Sequence, residues 1–257
     1  MPSWTDSAWF EPLDDRRDRP TLLAFPFSGT GVATFAPWRP RVPDDLSLVA
    51  VRLPGRETRL EEPPATDMFE VARTVADAIV AGPSPPPSVI PVGFSGGAIL
   101  AYETAAALID RGVAVPLLVV ASQFQPQSHD GSGVTHRQPD EEFLRQIDQT
   151  YDAVPDAMRD NDELRELLLP TLKADIGMNE RYVHPDREPL PCDVLVMTGE
   201  ADRVIDLRTS DGWTRVGRNA RRRIFPGGHF FLKDQPDAAL DAIVHRYRSA
   251  VSGSRSG

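Results

Sequence analysis

Short, largely apolar runs alternate with amphipathic stretches along the first half of the chain. The apolar runs are bounded by turn residues, as the buried strands of a parallel sheet are. They lie at Thr21–Phe25, Leu46–Val51, Ser88–Val92 and Leu117–Ala121. Apolar positions also recur every three or four residues from Met68 and again over Ala98–Ile109, which predicts two helices. Strands that alternate with helices predict an α/β fold, with a mostly parallel central sheet flanked by helices.

The alternation stops after the fourth apolar run. Residues 123–188 contain no strand-like run; a polar stretch rich in Gly and Ser is followed by helical patterns. These helical patterns lie at Asp140–Tyr151, Asp156–Leu169 and Thr171–Tyr182. Strand patterns and a closing helix then follow at Val194–Met197, Arg223–Phe225 and Ala238–Tyr247. The pattern therefore predicts a core of residues 20–122 and 189–251, interrupted by a helical insertion.

The two ends of the chain are predicted to lie outside this core. Residues 1–19 form a polar leader, which Trp4, Trp9 and Phe10 would order only in part. Residues 252–257 are rich in Gly and Ser and are predicted to be a disordered tail. The leader lacks the apolar stretch of a signal peptide, and the apolar runs are too short to cross a bilayer. We therefore expect a cytoplasmic protein.

The third strand runs into the pentapeptide Gly93–Gly97, which has the pattern G-x-S-x-G and is followed by a predicted helix. Strand, G-x-S-x-G and helix in this order are typical of a nucleophile elbow. A serine on so sharp a turn adopts a positive φ, and its neighbours must then be small. The pentapeptide alone also fits an ordinary glycine-rich turn. The flanking strand and helix are what make Ser95 the candidate nucleophile.

A serine nucleophile needs a base, and the base needs a carboxylate that orients it. His229 follows the last predicted strand in a glycine-rich loop with aromatic neighbours, whereas the other four histidines lie in loops or helices without such a context. His229 is therefore the candidate base, with a packed loop histidine as the alternative. The acid is expected after the preceding strand. Asp202 is the first choice, Glu200 the fallback, and Asp206 is less favoured.

The chain order Ser95, Asp202, His229 is the order of an α/β-hydrolase. From Ser95 to Asp202 the chain runs 107 residues, whereas the core needs on the order of 50 residues there. Residues 123–188 account for the excess and are predicted to be a lid over the site. The N–H groups of Gly96 and Phe27 are the candidate oxyanion donors, and the side chains of Phe94 and Phe230 are the candidates for substrate binding.

Length and charge narrow the classes of function. The chain has 257 residues, which fits one large domain, and a formal net charge of −10. This charge argues against nucleic acid or an anionic membrane surface as a partner. Cys192 is the single cysteine, so no internal disulfide is possible. No spacing of histidines or cysteines is typical of a metal site, and no glycine-rich nucleotide motif follows a strand. We expect no metal, no cofactor and a monomer.

Several segments together resemble the type II thioesterases of polyketide and nonribosomal-peptide assembly lines, which are α/β-hydrolases. These segments are Leu23–Gly29, Phe35–Trp38, Val51–Arg56, Gly93–Ala98, Leu172–Asp175 and Phe225–Phe231. The resemblance implies a mobile helical lid and the removal of stalled acyl groups from the phosphopantetheine arm of acyl or peptidyl carrier proteins. It also implies a triad at Ser95, Asp202 and His229.

The chain departs from this family at the two residues that flank the serine. The family usually has His before the serine and Met after it, whereas this chain has Phe94 and Gly96. Gly96 still offers its N–H, so catalysis is expected to survive. Loss of the Met side chain is expected to widen the acyl chamber or to loosen the oxyanion hole.

The leading hypothesis is hydrolysis of acyl thioesters on a carrier protein. We expect the acyl chamber to be apolar and to favour short, neutral or weakly polar acyl groups over free carboxylates, because an unpaired charge is costly to bury. Two alternatives remain open. The same triad would serve a stand-alone esterase or an acyltransferase, and a non-catalytic module would only bind the carrier protein.

Overall fold

A seven-stranded sheet organises the part of the chain that the structure describes. The structure is a computed structural model and describes residues 3–16, 18–152, 154, 160–205 and 209–253. The strands are β1 (Phe10–Pro12), β2 (Thr21–Phe25), β3 (Ser47–Val51), β4 (Val89–Phe94), β5 (Leu117–Ala121), β6 (Leu190–Gly199) and β7 (Gly217–Phe225). Their order is β1-β3-β2-β4-β5-β6-β7, with β1 antiparallel and the others parallel. The predicted α/β class is confirmed.

Helices cover both faces of the sheet. The described helices are α1 (Met68–Ala81), α2 (Gly96–Asp110), α3 (Asp140–Tyr151), α4 (Asp162–Glu180), α5 (Phe231–Asp234) and α6 (Pro236–Gly253). A 3-10 helix also spans Val32–Arg41. Helices α1 and α2 pack on one face, whereas α6 and the 3-10 helix pack on the other. Along β2, for example, Leu23 faces the first layer and Leu22 the second, so both faces of the strand are buried.

The strand order gathers the candidate residues at one edge of the sheet. Strands β2, β4, β6 and β7 are parallel, so their carboxyl ends meet at the same edge. The loops that leave these ends carry Phe27, Ser95, Asp202 and His229, respectively. Ligands of open α/β sheets bind outside the carboxyl ends of the strands. The fold thus brings the predicted residues into one region.

The first residues of the chain belong to the core, which corrects the predicted leader. Residues 10–12 form β1 and pair with β3. The side chains of Trp4 and Phe10 are buried and lie edge to face, with ring centroids 4.8 Å apart. The Asp14 carboxylate accepts the N–H of Leu48 at 2.7 Å. The sequence pattern missed this short edge strand because most residues around its few aromatic side chains are polar. Met1, Pro2 and Arg17 lie outside the described residues.

The insertion also differs from its predicted form. Two helices were expected on either side of Pro170, but α4 continues through this proline. Pro170 and Glu166, whose carbonyl loses its helical donor, are both exposed, and an unpaired backbone group costs less at an exposed position than in the core. The side chain of Asn161 caps α4 by accepting the N–H of Leu164 at 3.0 Å. The predicted helix start at Asp156 lies outside the described residues.

The last two strands and the closing helix are longer than predicted. Strand β7 begins at Gly217. The sequence pattern missed its first residues because a run of exposed arginines, typical of a protected edge strand, hides the alternation of apolar and polar positions. Helix α6 continues to Gly253, so Ser252 and Gly253 are helical and not part of a disordered tail. Residues 254–257 of the predicted tail lie outside the described residues.

Candidate active site

The turn between β4 and α2 presents Ser95. Its backbone has φ 50° and ψ −127°, a combination that residues other than glycine rarely adopt. The neighbouring glycines are required by close approach of the backbone. A Cβ on Gly93 would lie 2.2 Å from the carbonyl oxygen of Gly97, and one on Gly97 would lie 2.5 Å from that of Pro26. The local sequence therefore gives the sharp turn that the elbow motif predicts.

His229 lies between Ser95 and Asp202. Its Nε2 is 3.0 Å from Ser95 Oγ, and its Nδ1 is 3.0 Å from Asp202 Oδ2. The side chains of His229 and Asp202 are 5% and 0% exposed. An imidazole in this arrangement can take the proton of the serine hydroxyl while the carboxylate holds the opposite ring nitrogen.

The hydrogen bonds around Asp202 favour the ionised form of its carboxylate. Burial acts to raise the pKa of Asp202, but the hydrogen bond from His229 and the N–H groups of Ile205 and Val204 outweigh it, so the pKa is lowered. These N–H groups lie 3.0 and 2.9 Å from Asp202 Oδ1. An ionised carboxylate stabilises the positive charge that His229 acquires when it takes a proton.

The other candidate acids and bases lie elsewhere. Glu200, the fallback acid, is exposed, and Asp206 lies outside the described residues. Among the described contacts, three of the remaining histidines bind other partners: His136 contacts Glu180, His184 contacts the Tyr102 hydroxyl, and His129 contacts the Gln125 carbonyl. None of the described hydrogen bonds joins them to Ser95.

The loop that carries His229 is held from two sides. The Ser122 hydroxyl donates to the His229 carbonyl at 2.8 Å, and the Ala201 N–H donates to the carbonyl of Gly227 at 2.9 Å. Gly199 lets this loop approach β6, since a Cβ there would lie 2.2 Å from the carbonyl oxygen of Gly228. The base and the acid therefore sit on loops that are bonded to each other.

The loop after β2, residues 26–30, faces the elbow and is called the oxyanion loop below. Thr30 fixes the Phe27 carbonyl, which accepts the Thr30 N–H at 3.1 Å and the Thr30 hydroxyl at 2.8 Å. Within the described part of the chain, no protein acceptor takes the N–H of Phe27 or of Gly96. Both groups are therefore available to a ligand.

A cavity of about 170 Å³ opens beside Ser95. Its walls are mostly apolar, and they include Phe27, Ile147, Leu168, Leu172 and Phe230. Lys233 is the one charged residue among the lining residues, and its ammonium lies 4.5 Å from the Phe230 ring centroid. Of the two predicted substrate-binding residues, Phe230 lines this cavity.

Phe94 does not line the cavity, which corrects its predicted role. Its side chain is fully buried and packs against the rings of Phe27, Phe35 and Trp38, at centroid distances of 5.8, 6.2 and 5.9 Å. As the last residue of β4, it points into the layer beneath the oxyanion loop. Phe94 therefore supports the loop from below.

The space beside Gly96 is filled, so the absence of a larger residue there has not widened the chamber. A Cβ on Gly96 would lie 2.3 Å from Ser28 Oγ and 2.6 Å from Asn179 Nδ2. Asn179 belongs to α4, so the insertion reaches the residue next to the nucleophile. Glycine at position 96 is the residue that leaves room for this contact.

A second cavity, of about 180 Å³, adjoins the first and shares Ile147, Tyr151 and Ile176 with it. Amide and hydroxyl side chains dominate the rest of its lining, and they include Gln123, Thr135, Gln146, Thr150 and Asn179. Tyr151 forms the partition between the two cavities and lies against His229, with ring centroids 5.0 Å apart. The site thus joins an apolar cavity to a polar one.

Sequence reasoning did not assign a role to Tyr151, Asn179 or the ion pair of Arg56 with Asp175. Arg56 and Asp175 lie in two of the segments that carried the resemblance, and this was the only signal for them. Tyr151 and Asn179 gave no signal, because their contacts depend on where the insertion folds back.

The described residues contain neither a metal-binding cluster nor a membrane-spanning helix. No group of three or more His, Cys, Asp and Glu side chains is arranged to hold a metal ion there. No helix in the described part of the chain has both the length and the apolar character needed to span a bilayer.

Comparison with known proteins identifies relatives. The thioesterase domain profile matches residues 20–247. AMB antimetabolite synthetase AmbE of Pseudomonas aeruginosa is 33% identical in an alignment that covers 98% of this chain and 12% of that protein. Gramicidin S biosynthesis protein GrsT of Aneurinibacillus migulanus is 28% identical over 90% of both chains. The type II thioesterase YbtT of the yersiniabactin NRPS/PKS pathway superposes with a TM-score of 0.84 at 26% identity, covering 95% of this chain and 99% of that one.

These matches bear on both the fold and the family. The superposition on a type II thioesterase confirms the predicted α/β-hydrolase fold and the resemblance drawn from the sequence segments. The profile match extends over most of the chain and includes Ser95, Asp202 and His229. The chain belongs to the thioesterase family.

Proposed function

We propose that this protein is a serine thioesterase that hydrolyses acyl groups from the phosphopantetheine arm of acyl or peptidyl carrier proteins. The observation that carries the proposal is the position of His229, 3.0 Å from both the Ser95 hydroxyl and the Asp202 carboxylate, in a chain of the thioesterase family. Two relatives of similar length are named for biosynthetic pathways: GrsT for gramicidin S biosynthesis, and YbtT for the yersiniabactin NRPS/PKS pathway.

The proposed mechanism has two halves. His229 takes the proton of Ser95 as its oxygen attacks the thioester carbonyl, and the resulting oxyanion accepts the N–H groups of Phe27 and Gly96. Loss of one such donor typically costs about 3–4 kcal/mol of transition-state stabilisation. The C–S bond then breaks, and His229 returns the proton to the departing thiolate. In the second half, water gives a proton to His229 as its oxygen attacks the acyl carbon. The bond between Ser95 Oγ and the acyl group then breaks, and His229 returns the proton to Ser95 Oγ as the acid leaves.

The chemistry of the two cavities suggests how the substrate divides between them. An acyl chain has no hydrogen bonds to satisfy, so the apolar cavity walled by Phe230, Leu168 and Leu172 suits it. The phosphopantetheine arm carries amide groups that need partners when they leave water. The polar cavity, which Gln146 and Thr150 line, suits these groups. Tyr151 would then lie at the thioester, where the two parts meet.

The insertion, residues 123–188, is proposed to act as a lid. Its side chains Ile147, Tyr151 and Leu172 line part of the cavity beside Ser95, so an arm that enters this cavity passes along the insertion. Local opening of such segments commonly gates access to an active site.

The carrier is proposed to dock on a local patch rather than through long-range attraction. The formal net charge of this chain is −10, and an acidic carrier would be repelled at long range. Binding energy from the carrier is remote from the reacting carbonyl and can still raise kcat/KM. We propose that the protein acts in the cytoplasm as a monomer.

The proposal is tested by hydrolysis of acetyl, propionyl, butyryl and malonyl groups, each on a carrier protein, on a small pantetheine thiol and as the matching oxygen ester. We expect carrier thioesters to be hydrolysed with the highest kcat/KM, and butyryl to be preferred to malonyl. Faster hydrolysis of the oxygen esters would identify an esterase, and acyl transfer to an added alcohol would identify a transferase.

The matched variant is Ser95→Ala, which removes the attacking oxygen and little volume. We expect it to abolish both turnover and labelling by a fluorophosphonate probe. A wild-type protein that binds the carrier but neither turns over nor labels would be a non-catalytic binding module.

A further inference from the structure

A buried ion pair connects the insertion to the oxyanion loop. Arg56 Nη2 lies 2.7 Å from Asp175 Oδ1, and Arg56 Nη1 lies 2.9 Å from Asp175 Oδ2. The two side chains are 7% and 3% exposed. Asp175 is on α4, whereas Arg56 follows β3, 119 residues earlier in the chain. A two-pronged contact of this kind fixes orientation as well as distance.

Both partners also hold the oxyanion loop directly. Asp175 Oδ2 accepts the N–H of Gly29 at 2.7 Å, and Arg56 Nη1 donates to the Thr30 carbonyl at 2.7 Å. Leu172, one turn before Asp175 on α4, packs on the same loop, since a Cβ on Gly29 would lie 2.7 Å from its Cδ1. The loop therefore has polar and apolar contacts with α4 at residues adjacent to the proposed oxyanion donor.

The position of the Phe27 N–H depends on these contacts. Phe27 is two residues from Gly29, and its carbonyl is held by Thr30, which Arg56 holds in turn. An oxyanion donor must lie within a few tenths of an ångström of its working position, and a displacement of about 1 Å can cost about 100-fold in rate. Free loops do not provide this precision, whereas a loop bonded to a buried ion pair does.

We infer that Asp175 and Arg56 are positioning residues for the oxyanion hole, so that the carboxyl-terminal half of α4 is a fixed part of the catalytic machinery. Neither residue touches the reacting atoms. Asp175 and Arg56 act through the oxyanion loop, by holding the Phe27 N–H where the oxyanion forms. This inference rests on the proposed function.

A purely structural role has a matched control in the same protein. Glu103 on α2 accepts the Tyr182 hydroxyl at 2.6 Å and Arg187 Nη2 at 2.7 Å, and its side chain is 3% exposed. The pair joins the end of the insertion to the core, with Arg187 24% exposed, and none of its described contacts reaches residues 26–30. Disruption of either pair should destabilise the fold, whereas only the first should slow the chemistry.

The test compares Asp175→Ala, Asp175→Asn and Glu103→Gln at a temperature at which circular dichroism shows each to be folded. We expect Asp175→Ala to lower kcat about 100-fold with KM within about threefold, because the donor is displaced and the substrate contacts remain. Asp175→Asn keeps an oxygen for the Gly29 N–H, and we expect it to recover most of this loss. Glu103→Gln should keep the wild-type kcat.

A second readout does not depend on the carrier substrate. The rate constant for phosphonylation of Ser95 by a fluorophosphonate should fall in Asp175→Ala and recover in Asp175→Asn. If Asp175→Ala does not fold, Arg56→Lys, which keeps the charge but loses the two-pronged contact, should show the same pattern at smaller size.

The inference is overturned if Asp175→Ala keeps the kcat and labelling rate of Asp175→Asn, or if Glu103→Gln loses as much kcat as Asp175→Ala. These outcomes differ from failure of the proposed function. If the proposed function is wrong, the wild-type protein itself will neither hydrolyse a carrier thioester nor be labelled at Ser95.

Discussion

Two segments of the insertion are attached to the protein in different ways. The anchored segment, residues 171–187, contacts the core through buried polar groups: Thr171 donates to the Gly55 carbonyl at 2.6 Å, Asp175 pairs with Arg56, and Arg187 pairs with Glu103. Of the cover segment, residues 140–169, the structure describes residues 140–152, 154 and 160–169. Apart from Asp148 and Val154, no hydrogen bond or ion pair described for these residues reaches the core. The buried residues of this segment, Phe143, Ile147, Val154 and Leu169, form an apolar cluster of their own.

This difference assigns two proposed roles to the insertion: one segment positions the oxyanion loop, and the other controls access to Ser95. The anchored segment positions the oxyanion loop, and its ion pairs leave it little freedom. The cover segment contacts the anchored segment through the apolar cluster and through local polar contacts such as that of Lys173 with Asp140. It also touches the core at Tyr151, whose ring lies against that of His229. Local opening is cheapest where few buried contacts cross to the core. The lid predicted for residues 123–188 is therefore proposed to open only in its cover segment.

The largest expected effect comes from breaking the anchor. In Arg56→Met, the Asp175 carboxylate stays buried without its partner, and removal of one partner of a buried pair typically costs about 3–5 kcal/mol. We expect the free energy of unfolding, measured by urea denaturation, to fall by this amount. The control is Arg145→Met, which removes an exposed ion pair with Glu142 in the cover segment and should change stability by less than about 1 kcal/mol. Equal losses would contradict the division.

A smaller effect is expected from crowding the anchored segment beside the nucleophile. In Gly96→Ala, the new Cβ would lie 2.6 Å from Asn179 Nδ2 and 2.3 Å from Ser28 Oγ, so α4 or the oxyanion loop must shift. Overpacking of this kind typically costs about 1–3 kcal/mol. We expect lower stability together with a lower kcat. A variant with unchanged kcat would show that α4 can move without disturbing the hole.

A still smaller effect on global stability is expected from the cover segment. Phe143 is fully buried, and Phe→Ala changes in a core typically cost about 3–5 kcal/mol. Because Phe143 belongs to the separate cluster, we expect Phe143→Ala to change global unfolding by less than about 1 kcal/mol. Amide exchange over Asp140–Tyr151 should instead become much faster. A core-sized loss in urea denaturation would mean that the two segments unfold together.

The unmodified protein should show the same division, without any loss of stability. We expect amide hydrogen exchange to be fastest in α3, slower in the carboxyl-terminal half of α4, and slowest in β4 and β5, whose residues are fully buried. Exchange measured by mass spectrometry on the wild-type protein checks this order. Equal protection of α3 and β4 would contradict the existence of a lid.

The parts of the site that rest on local sequence could be predicted. Ser95 was predictable because Gly93 and Gly97 satisfy steric demands within five residues of chain. His229 was predictable because its loop follows a strand and is rich in glycine. The choice between Glu200 and Asp202 as the acid depends on the turn after β6, which decides which carboxylate faces His229. The sequence could therefore rank Asp202 above Glu200, but it could not show which of them contacts His229.

The parts that rest on contacts distant in sequence could not be predicted. The pair of Arg56 with Asp175 joins residues 119 positions apart, and no periodicity encodes it. Local rules also misled at Pro170. A proline usually ends a helix, but Pro170 lies on an exposed face of α4, and the helix continues through it. Strand β7 was shortened because its exposed arginines do not alternate with apolar residues.

The most direct test of the account is the detection of an acyl group on Ser95. Asp202→Asn should slow both halves of the reaction by disturbing the tautomer of His229, so the acyl-enzyme should persist long enough to be trapped by an acid quench. After incubation with a butyryl-loaded carrier protein, peptide mapping by mass spectrometry should find the butyryl group on the peptide that contains Ser95, and none in Ser95→Ala. Turnover by Ser95→Ala at the wild-type rate, or an acyl group on another residue, would contradict the account.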